Sequence, residues 1–476
     1  MEIEGKIKVD REKNRIYLST FYNRERKVRQ KLIEISKGFD LTKIEVKEDL
    51  NIFKNIDLSQ DQIDAIELSV NNKVAIITGG PGTGKTTIIK AIIEIFEREN
   101  IGYKLAAPTG RAAKRMEEST NREAQTIHRL LGFKGIDNES YMEYNEENLI
   151  ETEALIIDEA SMIDINLMDS LLRAVDNTIR IIFVGDIDQL PSVGPGNILG
   201  DMIKSGEIPL KKLNKIYRQK EDSNIVINAH RINKGIMPIV NKEGGGFYLL
   251  RTRSEEESLN IILDLVNRRL PNHYDLGKND IQVLSPMKRG ICGVDNLNEK
   301  LQEKLNPEKN TRKEIEYKET IFRVNDKVMQ IKNNYNIEYS GKEEGQGVYN
   351  GDFGVIRNID NINESLEVIF DDEKIVRYEY NDLQELSLSY AITIHKSQGS
   401  EFPCVVIPLI SGPYMLLTKN IIYTAITRAK KLVVLVGSEE ILNKMISNNR
   451  EINRNTSLDE RIIEYKQILD GANWIY

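Results

Sequence analysis

The stretch Ile77-Thr78-Gly79-Gly80-Pro81-Gly82-Thr83-Gly84-Lys85-Thr86-Thr87 decides the fold of this chain. It has the pattern G-x-x-x-x-G-K-T of a phosphate-binding loop, whose backbone N–H groups surround phosphate oxygens. The apolar run Val74–Ile77 precedes it with the length of a buried strand, and Ile88–Phe96 follows with the composition of a helix. A strand, a glycine turn and a helix N-terminus are the context that phosphate binding requires. The stretch therefore predicts an α/β domain that binds a nucleoside triphosphate.

Residues within this loop have separate predicted roles. Lys85 is expected to reach the β- and γ-phosphates, and the Thr86 hydroxyl is expected to ligate Mg²⁺. The residues predicted to bind the nucleotide are those of the whole loop: Gly79, Gly80, Pro81, Gly82, Thr83, Gly84, Lys85, Thr86 and Thr87. The alternative is a flexible glycine loop that matches by accident, and the strand and helix on either side disfavour it.

Two acidic residues end a second apolar run. Ala154–Ile157 has the composition of a buried strand, and Asp158 and Glu159 follow it directly. Ligands of an α/β sheet bind at the carboxyl ends of its strands, so both carboxylates are predicted to face the nucleotide. Asp158 is then expected to hold Mg²⁺ through water, and Glu159 to orient and deprotonate the attacking water. Such a pair is common by itself, and the phosphate-binding loop earlier in the chain favours this interpretation.

Five further residues carry predictions for the nucleotide. Gln62, shortly before the loop, can recognise the adenine edge with its amide, although a surface helical glutamine is an equal alternative. Gln189 follows another apolar strand and can sense the γ-phosphate. Tyr217 offers a ring that stacks on a base, and Arg218 a guanidinium for charge on the transferring phosphoryl group. Arg428 lies near the end of a predicted helix in the half without a phosphate-binding loop, from which a finger closing the site would have to come.

Composition excludes several classes of protein. With 476 residues the chain is long enough for about two to four domains, and 40% hydrophobic and 29% charged residues are usual for globular proteins. No apolar run has the length of a membrane span, two cysteines exclude a disulfide framework and fit a cytoplasmic location, and four separated histidines disfavour zinc. The net charge of −8 argues against a protein that coats nucleic acid, while a local groove can still contact phosphates.

The rest of the chain shows three changes of pattern. Residues 1–55 are predicted to form a small N-terminal adapter. A polar stretch at about 132–150, rich in Asn, Glu and Tyr, is predicted to be a hairpin-like insert, with a loop of no function as the alternative. Short β segments separated by turns occupy about 315–386, which predicts a small barrel inserted in the second half.

Ordered motifs resemble those of the RecD-like branch of superfamily 1 DNA helicases. They are GGPGTGKT, APTGRAAKRM, TIHRLLGF, LIIDEASM, VGDIDQLPSVGPG, IYRQ, VLSPM, VYNGDFG, SYAITIHKSQGSEF and YTAITRAK, and the resemblance covers roughly residues 55–440. It implies an α/β fold with two RecA-like parallel-sheet domains, ATP in the cleft between them, an SH3-like β-barrel inserted in the second domain and a short β-hairpin, the pin, in the first. The predicted domains are the adapter at 1–55, the first RecA-like domain at 56–221 and the second at 222–476.

The resemblance also implies roles for single residues. Gln62 and Tyr217 match residues at adenine, and Glu401 matches a ribose contact. Residues matching γ-phosphate sensors and fingers are Gln189, Arg218 and Arg428. Residues matching contacts to the backbone of a single DNA strand are Pro108, Thr109, Thr126, His128, Thr393, His395 and Lys396. Members of this branch move 5′ to 3′.

The sequence therefore predicts an ATP-dependent 5′ to 3′ DNA helicase or translocase. ATP and Mg²⁺ are the expected cofactors, and single-stranded and tailed duplex DNA are the expected partners, without a membrane. The N-terminal region is short for this branch and the pin lacks an aromatic wedge, so translocation is expected more directly than processive strand separation. Two alternatives stay open, a nucleotide-gated accessory subunit that needs a partner to unwind and an RNA helicase of the same superfamily. A protein partner in repair or recombination also stays open.

Overall fold

The structure is a computed structural model that describes residues 5–11, 13–38, 43–46, 58–136, 139–215, 224–308, 313–342, 344–371, 373–448 and 454–472. The chain divides into two compact units. The first spans 1–108, 112–219 and 453–476, and the second spans 109–111 and 220–452. None of the helices in the described ranges is both long enough and apolar enough to pass through a membrane.

A parallel sheet forms the centre of the first unit. The strands described in this unit are β1 (Ile7–Asp10), β2 (Arg15–Leu18), β3 (Val74–Gly79), β4 (Tyr103–Ala107), β5 (Ala124–Thr126), β6 (Phe133–Ile136), β7 (Glu139–Met142), β8 (Ala154–Ile157), β9 (Arg180–Gly185) and β10 (Leu210–Leu213). The pairs β1-β2 and β6-β7 form separate antiparallel hairpins, and the other six strands form the parallel sheet. The helices between them are α1 (Ser19–Ser36), α2 (Gln60–Val70), α3 (Lys85–Arg98), α4 (Gly110–Thr120), α5 (Ile127–Leu130), α6 (Ile165–Arg173) and α7 (Ile198–Ser205). The sheet has the order β10-β3-β9-β8-β4-β5, and all neighbouring strands are parallel.

Apolar runs explain why this sheet lies inside the unit. β3, β8 and β9 are buried along their whole length, as in parallel sheets with helices on both faces. Successive side chains of a strand point to opposite faces. Accordingly, Ile76 packs in a cluster with α1, α6 and α7, while Ile77 packs in another with α2 and α3. Because β3, β9 and β8 are parallel neighbours, the carboxyl ends of β3 and β8 lie at the same edge of the sheet.

A short hairpin follows α5. β6 and β7 pair antiparallel, with Phe133 opposite Met142 and Ile136 opposite Glu139. The chain continues through bends in residues 143–148 before β8. The predicted hairpin insert is therefore confirmed as an element of the fold.

A second parallel sheet forms the centre of the second unit. Its strands and those of its insert are β11 (Phe247–Arg251), β12 (Ile281–Ser285), β13 (Glu314–Tyr317), β14 (Thr320–Arg323), β15 (Lys327–Gln330), β16 (Asn334–Ser340), β17 (Gly345–Val348), β18 (Phe353–Asp360), β19 (Ser365–Phe370), β20 (Ile375–Glu379), β21 (Leu386–Leu388), β22 (Ala391–Thr393), β23 (Phe402–Leu409) and β24 (Ala429–Gly437). The helices are α8 (Asn224–Asn233), α9 (Glu255–Asp264), α10 (Leu270–Tyr274), α11 (Val294–Leu305), α12 (Lys419–Thr427) and α13 (Glu439–Ser447). The order β11-β24-β23-β12-β22 is parallel throughout.

The insert between β12 and β22 is antiparallel. Seven strands have the order β17-β16-β20-β19-β18-β15-β21, and β13 and β14 form a separate hairpin. Leu366, Val368 and Phe370 of β19 alternate with more exposed residues, which is the pattern of a sheet with one face on a core. The buried Tyr378 hydroxyl donates to Oε1 of Gln330 at 2.8 Å. Two parallel sheets, an antiparallel insert and a hairpin confirm the predicted fold class.

The described ends of the chain pack together in the first unit. The C-terminal helix α14 (Leu458–Ala472) lies against α1 and α7, and Leu458 and Ile462 share an apolar cluster with α1. The Arg461 guanidinium donates to the buried Glu25 carboxylate of α1 at 3.0 Å. The sequence assigns residues 222–476 to one domain, but this burial places α14 in the first unit. The adapter predicted at 1–55 likewise packs there, with α1 on α6.

Candidate functional site

The predicted phosphate-binding loop connects β3 to α3. β3 ends at Gly79 and α3 begins at Lys85, so the glycine turn leads directly into a helix N-terminus. Gly82 and Gly84 have φ angles of 76° and 86°, a left-handed conformation that L side chains rarely adopt. A Cβ atom on Gly84 would also collide with Nε2 of Gln62. Glycine is therefore required at position 84.

Two side chains of the loop are held by its own backbone. The Lys85 ammonium donates to the carbonyl oxygens of Gly79 at 2.5 Å and Gly80 at 3.1 Å. The buried Thr83 hydroxyl donates to the Gly80 carbonyl at 2.9 Å. The Lys85 side-chain nitrogen thus lies beside the loop, and phosphate oxygens are stronger acceptors than these carbonyls. The loop side chains that are half-buried include Pro81, Thr86 and Thr87.

Gln62 lies on α2 with its amide nitrogen next to Gly84. The Ser59 hydroxyl accepts the Gln62 N–H at 3.3 Å, and Oε1 of Gln62 accepts the Ser59 N–H at 3.0 Å. This reciprocal capping box holds the glutamine side chain in place. Gln62 is only 3% exposed, which excludes a surface helical glutamine. Its role at adenine stays a prediction.

Asp158 and Glu159 follow β8 at the same edge of the sheet as the loop. The Asp158 N–H donates to the Ala106 carbonyl at 3.0 Å, and Oδ1 of Asp158 accepts the Glu159 N–H at 2.8 Å. Burial and the charge of Glu159 raise the pKa of Asp158, while the cations Arg115 and Lys85 oppose the rise. The charge of Lys85 acts on the Asp158 carboxyl. The residue predicted to bind phosphate and the residue predicted to bind the metal are therefore close enough to interact electrostatically.

This environment fits a magnesium ion. The Asp158 carboxylate and the Thr86 hydroxyl are hard oxygen ligands of the kind that Mg²⁺ prefers. The raised pKa means that burial disfavours the ionised form of Asp158, and a nearby divalent cation would stabilise that form. Across the described residues, no group of three or more His, Cys, Asp or Glu side chains forms a metal cage. Mg²⁺ sites that rely on substrate phosphates and one or two carboxylates have this composition.

Glu159 has an unusual backbone conformation for a residue with a side chain. Its φ angle is 52°, in the left-handed region, and it precedes the 3-10 turn Ala160–Met162. Strained non-glycine residues of this kind cluster at functional sites. Oε1 of Glu159 lies 3.7 Å from Nη1 of Arg115 on α4. The sequence predicts no role for Arg115, because nothing in the spacing of APTGRAAKRM indicates a contact with Glu159.

Gln189 belongs to a buried polar group after β9. Nε2 of Gln189 donates to Oδ2 of Asp186 at 3.1 Å, and both residues are buried. The Ile187 N–H donates to the hydroxyl of Thr78 in β3 at 3.2 Å. This bond ties the segment that carries Gln189 to the strand before the phosphate-binding loop. Asp186 lies three residues before Gln189, so its closeness to Gln189 could be expected from the sequence. The contact with Thr78 could not, because Thr78 lies in a different strand.

Tyr217 and Arg218 lie outside the described residues. Their roles at the base and at the transferring phosphoryl group stay predictions.

Arg428 and Glu401 lie in the second unit. Arg428 follows the last residue of α12 and is 2% exposed. Its Nε donates to the Thr424 carbonyl at 3.3 Å, and its Nη1 donates to the Ser400 carbonyl at 3.4 Å. Glu401 is half-buried, with Oε2 at 3.4 Å from Nζ of Lys430. The roles of Arg428 as a finger and Glu401 at ribose stay predictions.

The predicted DNA contacts early in the chain follow the ends of β4 and β5. Pro108 follows β4 directly, and Thr109 precedes α4. Thr126 ends β5 and caps α5, its hydroxyl accepting a backbone N–H at 3.1 Å. His128 packs edge-on against Phe133 with ring centroids 5.8 Å apart, and burial lowers the pKa of His128. A neutral imidazole would contact DNA by hydrogen bonding rather than by charge.

The other predicted DNA contacts share one turn at the carboxyl end of β22. Thr393 ends this strand opposite Ser285, and its hydroxyl accepts the Lys396 N–H at 3.3 Å. His395 opens the 3-10 turn that follows. Desolvation and the nearby charge of Lys288 lower the pKa of Lys396. The structure brings these three residues together, and it adds Lys288, which the sequence did not single out.

Three family models match this chain. An AAA domain matches residues 62–195, which contain the phosphate-binding loop and both strand-end acids. The SH3 domain of ATP-dependent RecD-like DNA helicases matches residues 297–370, which contain β13 to β19. The C-terminal domain of UvrD-like helicases matches residues 388–436, which contain β22 and β23. The antiparallel insert is therefore the predicted SH3-like element.

Curated relatives resemble most of the chain. The ATP-dependent RecD2 DNA helicase of Deinococcus radiodurans is 35% identical over 405 residues, which are 85% of this chain and 52% of that protein. The RecBCD enzyme subunit RecD of Buchnera aphidicola is 30% identical over an alignment that covers 92% of this chain and 82% of that protein. This chain belongs to the RecD-like superfamily 1 helicases. The RecD-like chain spans about half the length of the Deinococcus relative.

A solved structure shares the fold of this RecD-like chain. A Bacteroides Pif1 helicase bound to single-stranded DNA has a TM-score of 0.51 and 20% sequence identity. The similarity covers 88% of this chain and 98% of that chain. It confirms the two-sheet helicase architecture as a fold.

Proposed function

We propose that this RecD-like chain hydrolyses ATP to move 5′ to 3′ along single-stranded DNA and to unwind duplex DNA. The observation that carries the proposal is one sheet edge that holds the phosphate-binding loop with Lys85 beside Asp158 and Glu159. Its membership of the RecD-like helicases supports ATP as the fuel. The Deinococcus relative is a DNA helicase, which supports DNA as the track.

The residues on this edge divide the work of hydrolysis. The backbone N–H groups of the loop and Lys85 hold the β- and γ-phosphates, and Lys85 exchanges its carbonyl acceptors for phosphate oxygens. Thr86 would ligate Mg²⁺ and Asp158 would hold it through water, and the bound ion would neutralise charge on the phosphate oxygens. Glu159 takes a proton from water as the water oxygen attacks the γ-phosphorus in line and the bond to the ADP oxygen breaks.

Other side chains recognise the nucleotide and its charge. Gln62 recognises adenine with the amide that lies beside Gly84. Gln189 senses the γ-phosphate, and its hydrogen bond to Asp186 holds the side chain in position. Arg218 and Arg428 stabilise charge that develops on the transferring phosphoryl group. The remaining residues proposed for the nucleotide are Tyr217 at the base and Glu401 at the ribose.

The proposed DNA contacts rely mainly on neutral groups. Pro108, Thr109, Thr126 and His128 would contact the strand from one set of strand ends, and Thr393, His395 and Lys396 from another. Hydroxyl and imidazole groups bond phosphate oxygens without releasing counterions, so the affinity should fall only modestly as salt rises. This expectation agrees with a chain whose net charge is −8.

We propose residues 56–221 and 222–448 as the two motor domains.

A second candidate function is a subunit that unwinds only with a partner. The similarity to the RecD subunit of the RecBCD enzyme, of which this chain covers 82%, favours it. The complete set of candidate hydrolysis residues favours an autonomous motor.

Unwinding by the isolated chain tests the proposal. Duplexes with a 5′ tail, a 3′ tail or blunt ends are incubated with ATP and Mg²⁺, and Lys85→Ala serves as the control that cannot use ATP. We expect unwinding from the 5′ tail alone. Hydrolysis stimulated by DNA without unwinding would favour the partner-dependent subunit. Stronger stimulation by RNA than by DNA would contradict the proposed track, because 2′-hydroxyl groups alter the contacts.

A further inference from the structure

An ion pair joins the candidate general base to a helix that has no predicted part in hydrolysis. Nη1 of Arg115 lies 3.7 Å from Oε1 of Glu159. The Glu159 side chain is 8% exposed and that of Arg115 is 36% exposed, so a buried carboxylate meets a cation that also reaches solvent. The charge of Arg115 acts on the adjacent Asp158 as well. Arg115 therefore pairs with Glu159 and acts electrostatically on Asp158.

The ion pair and catalysis compete for the Glu159 carboxylate, whose Oε1 faces Arg115. A general base accepts a proton from water through a carboxylate oxygen within hydrogen-bond reach of that water. A guanidinium beside that carboxylate holds its oxygens in one direction and competes with the water for them. The backbone of Glu159, fixed in the left-handed region before the turn Ala160–Met162, limits the other directions that the side chain can take. Release from Arg115 thus frees Glu159 for the water.

Helix α4 connects this ion pair to the predicted DNA contacts. It begins at Gly110, directly after Pro108 and Thr109. Ala112, Ala113 and Met116 are buried, so the helix is seated by its apolar side, while Arg115 lies between them in sequence and is only half-buried. A hydrogen-bonded helix transmits a shift of its first turn to its second. A strand that bound at Pro108 and shifted the first turn of α4 would therefore also move Arg115.

We propose that Arg115 is a positioning residue that holds Glu159 away from the attacking water until single-stranded DNA binds. DNA contact at Pro108 and Thr109 shifts α4, the guanidinium leaves the carboxylate, and hydrolysis becomes coupled to the track. The inference rests on the proposed function and deepens it, because it names the residue through which the strand controls the rate. Arg115 need not touch ATP in this account.

Steady-state hydrolysis by position 115 variants tests the inference. The kcat and KM for ATP are measured for the wild type, Arg115→Ala and Arg115→Lys, each with and without a deoxythymidine oligonucleotide. Lys114→Ala is the matched control, since Lys114 is an exposed cation on the same helix that precedes Arg115 directly. Thermal unfolding of each variant establishes that it folds. If Arg115→Ala does not fold, Arg115→Lys, which retains a cation at this position, carries the test.

We expect the kcat of Arg115→Ala without DNA to rise by about three- to fivefold, as for the loss of one partly exposed ion pair. Its KM for ATP should stay unchanged and its stimulation by the oligonucleotide should shrink. Arg115→Lys should fall between Arg115→Ala and the wild type, and Lys114→Ala should match the wild type. A kcat without DNA that is unchanged or lower in Arg115→Ala would overturn the inference. A wild type that DNA does not stimulate would overturn the proposed function itself.

Discussion

Glu159 and Lys85 occupy the same sheet edge but act on different steps of the proposed reaction. Lys85 bonds the loop that would hold the phosphates, whereas Glu159 lies at the start of a turn beyond β8. Glu159→Gln keeps the size of the side chain and removes its ability to accept a proton. Turnover should fall by about 10²- to 10⁴-fold, the usual contribution of a general base, while ATP still binds. Hydrolysis rates and binding of a fluorescent ATP analogue measure the two effects.

Lys85→Ala is the contrasting variant. It removes the cation beside the loop, so both nucleotide binding and hydrolysis should be lost. Normal turnover by Glu159→Gln would contradict the assignment of the base.

Gln62 has an observed capping role and a proposed role at adenine, which a pair of variants can separate. Its Oε1 accepts the Ser59 N–H in the capping box of α2, and its amide nitrogen lies beside Gly84. Gln62→Ala should raise the KM for ATP and reduce the preference for ATP over GTP, because the adenine edge loses its partner. Competition between the two nucleotides measures this preference.

Ser59→Ala is the control for the capping role of Gln62. It breaks the capping box and should cost about 1 kcal/mol of stability without changing nucleotide preference. An unchanged preference in Gln62→Ala would exclude this residue from adenine recognition.

Among single residues, local pattern determined what the sequence predicted. Lys85 and Thr86 belong to a motif whose spacing carries its own chemistry, and Asp158 and Glu159 follow an apolar strand. Arg115 was missed because its contact with Glu159 joins two residues far apart in the chain. Neither composition nor periodicity encodes which helix lies across from a given strand end.

At the scale of elements, one arginine holds the loop that follows Gln189. The Arg454 guanidinium donates to the carbonyl oxygens of Ser192, Gly194 and Gly196, the last at 2.7 Å. Arg454→Ala would leave these acceptors without that donor, which should lower the free energy of unfolding by about 1–3 kcal/mol. Thermal or urea unfolding measures the change.

Asn455→Ala is the control for Arg454, since Asn455 is its exposed neighbour. It should unfold like the wild type. If Arg454→Ala also unfolded like the wild type, the loop would not depend on this contact.

The elements themselves differ in how far the sequence predicted them. β3, β8 and β9 were predicted because apolar runs of strand length are typical of a buried parallel sheet. The sequence did not predict the position of α14, because a helix with one apolar side can pack on either unit. Its partners, Glu25 and the apolar side of α1, are separated from it by most of the chain.

At the scale of the whole molecule, a buried polar cluster joins three distant segments of the first unit. Oγ1 of Thr456 lies 3.0 Å from Oε1 of Glu25 and 2.8 Å from Oδ2 of Asp201. One hydroxyl has a single proton to donate, so it can donate to only one of the two carboxyl oxygens at a time. Burial raises the pKa of both, but Arg461 opposes the rise at Glu25. Burial therefore favours the protonated form of Asp201.

The cluster makes stability depend on pH through Asp201. Burial raises the pKa of Asp201 from 3.8 to about 7. A carboxyl whose folded pKa is raised contributes stability that is full below about pH 4 and lost as the pH rises through about 7, at most roughly 4 kcal/mol. Asp201→Asn should remove this dependence and be more stable than the wild type at about pH 8. Unfolding temperatures from about pH 5 to 8 measure the difference.

Asp470→Asn is the matched control for Asp201. Asp470 is an exposed carboxyl on α14, and its substitution should leave the pH dependence of the wild type intact. A parallel pH dependence in Asp201→Asn and the wild type would contradict this role of Asp201.

Movement along a single strand is the central claim, and displacement of streptavidin measures it without requiring unwinding. Oligonucleotides carry biotin at the 3′ or the 5′ end, and release of bound streptavidin is followed with ATP and Mg²⁺, with Lys85→Ala as the control. A motor that moves 5′ to 3′ should displace streptavidin from the 3′ end alone, and only with ATP. Displacement from the 5′ end, or none from either end while ATP is hydrolysed, would contradict the account.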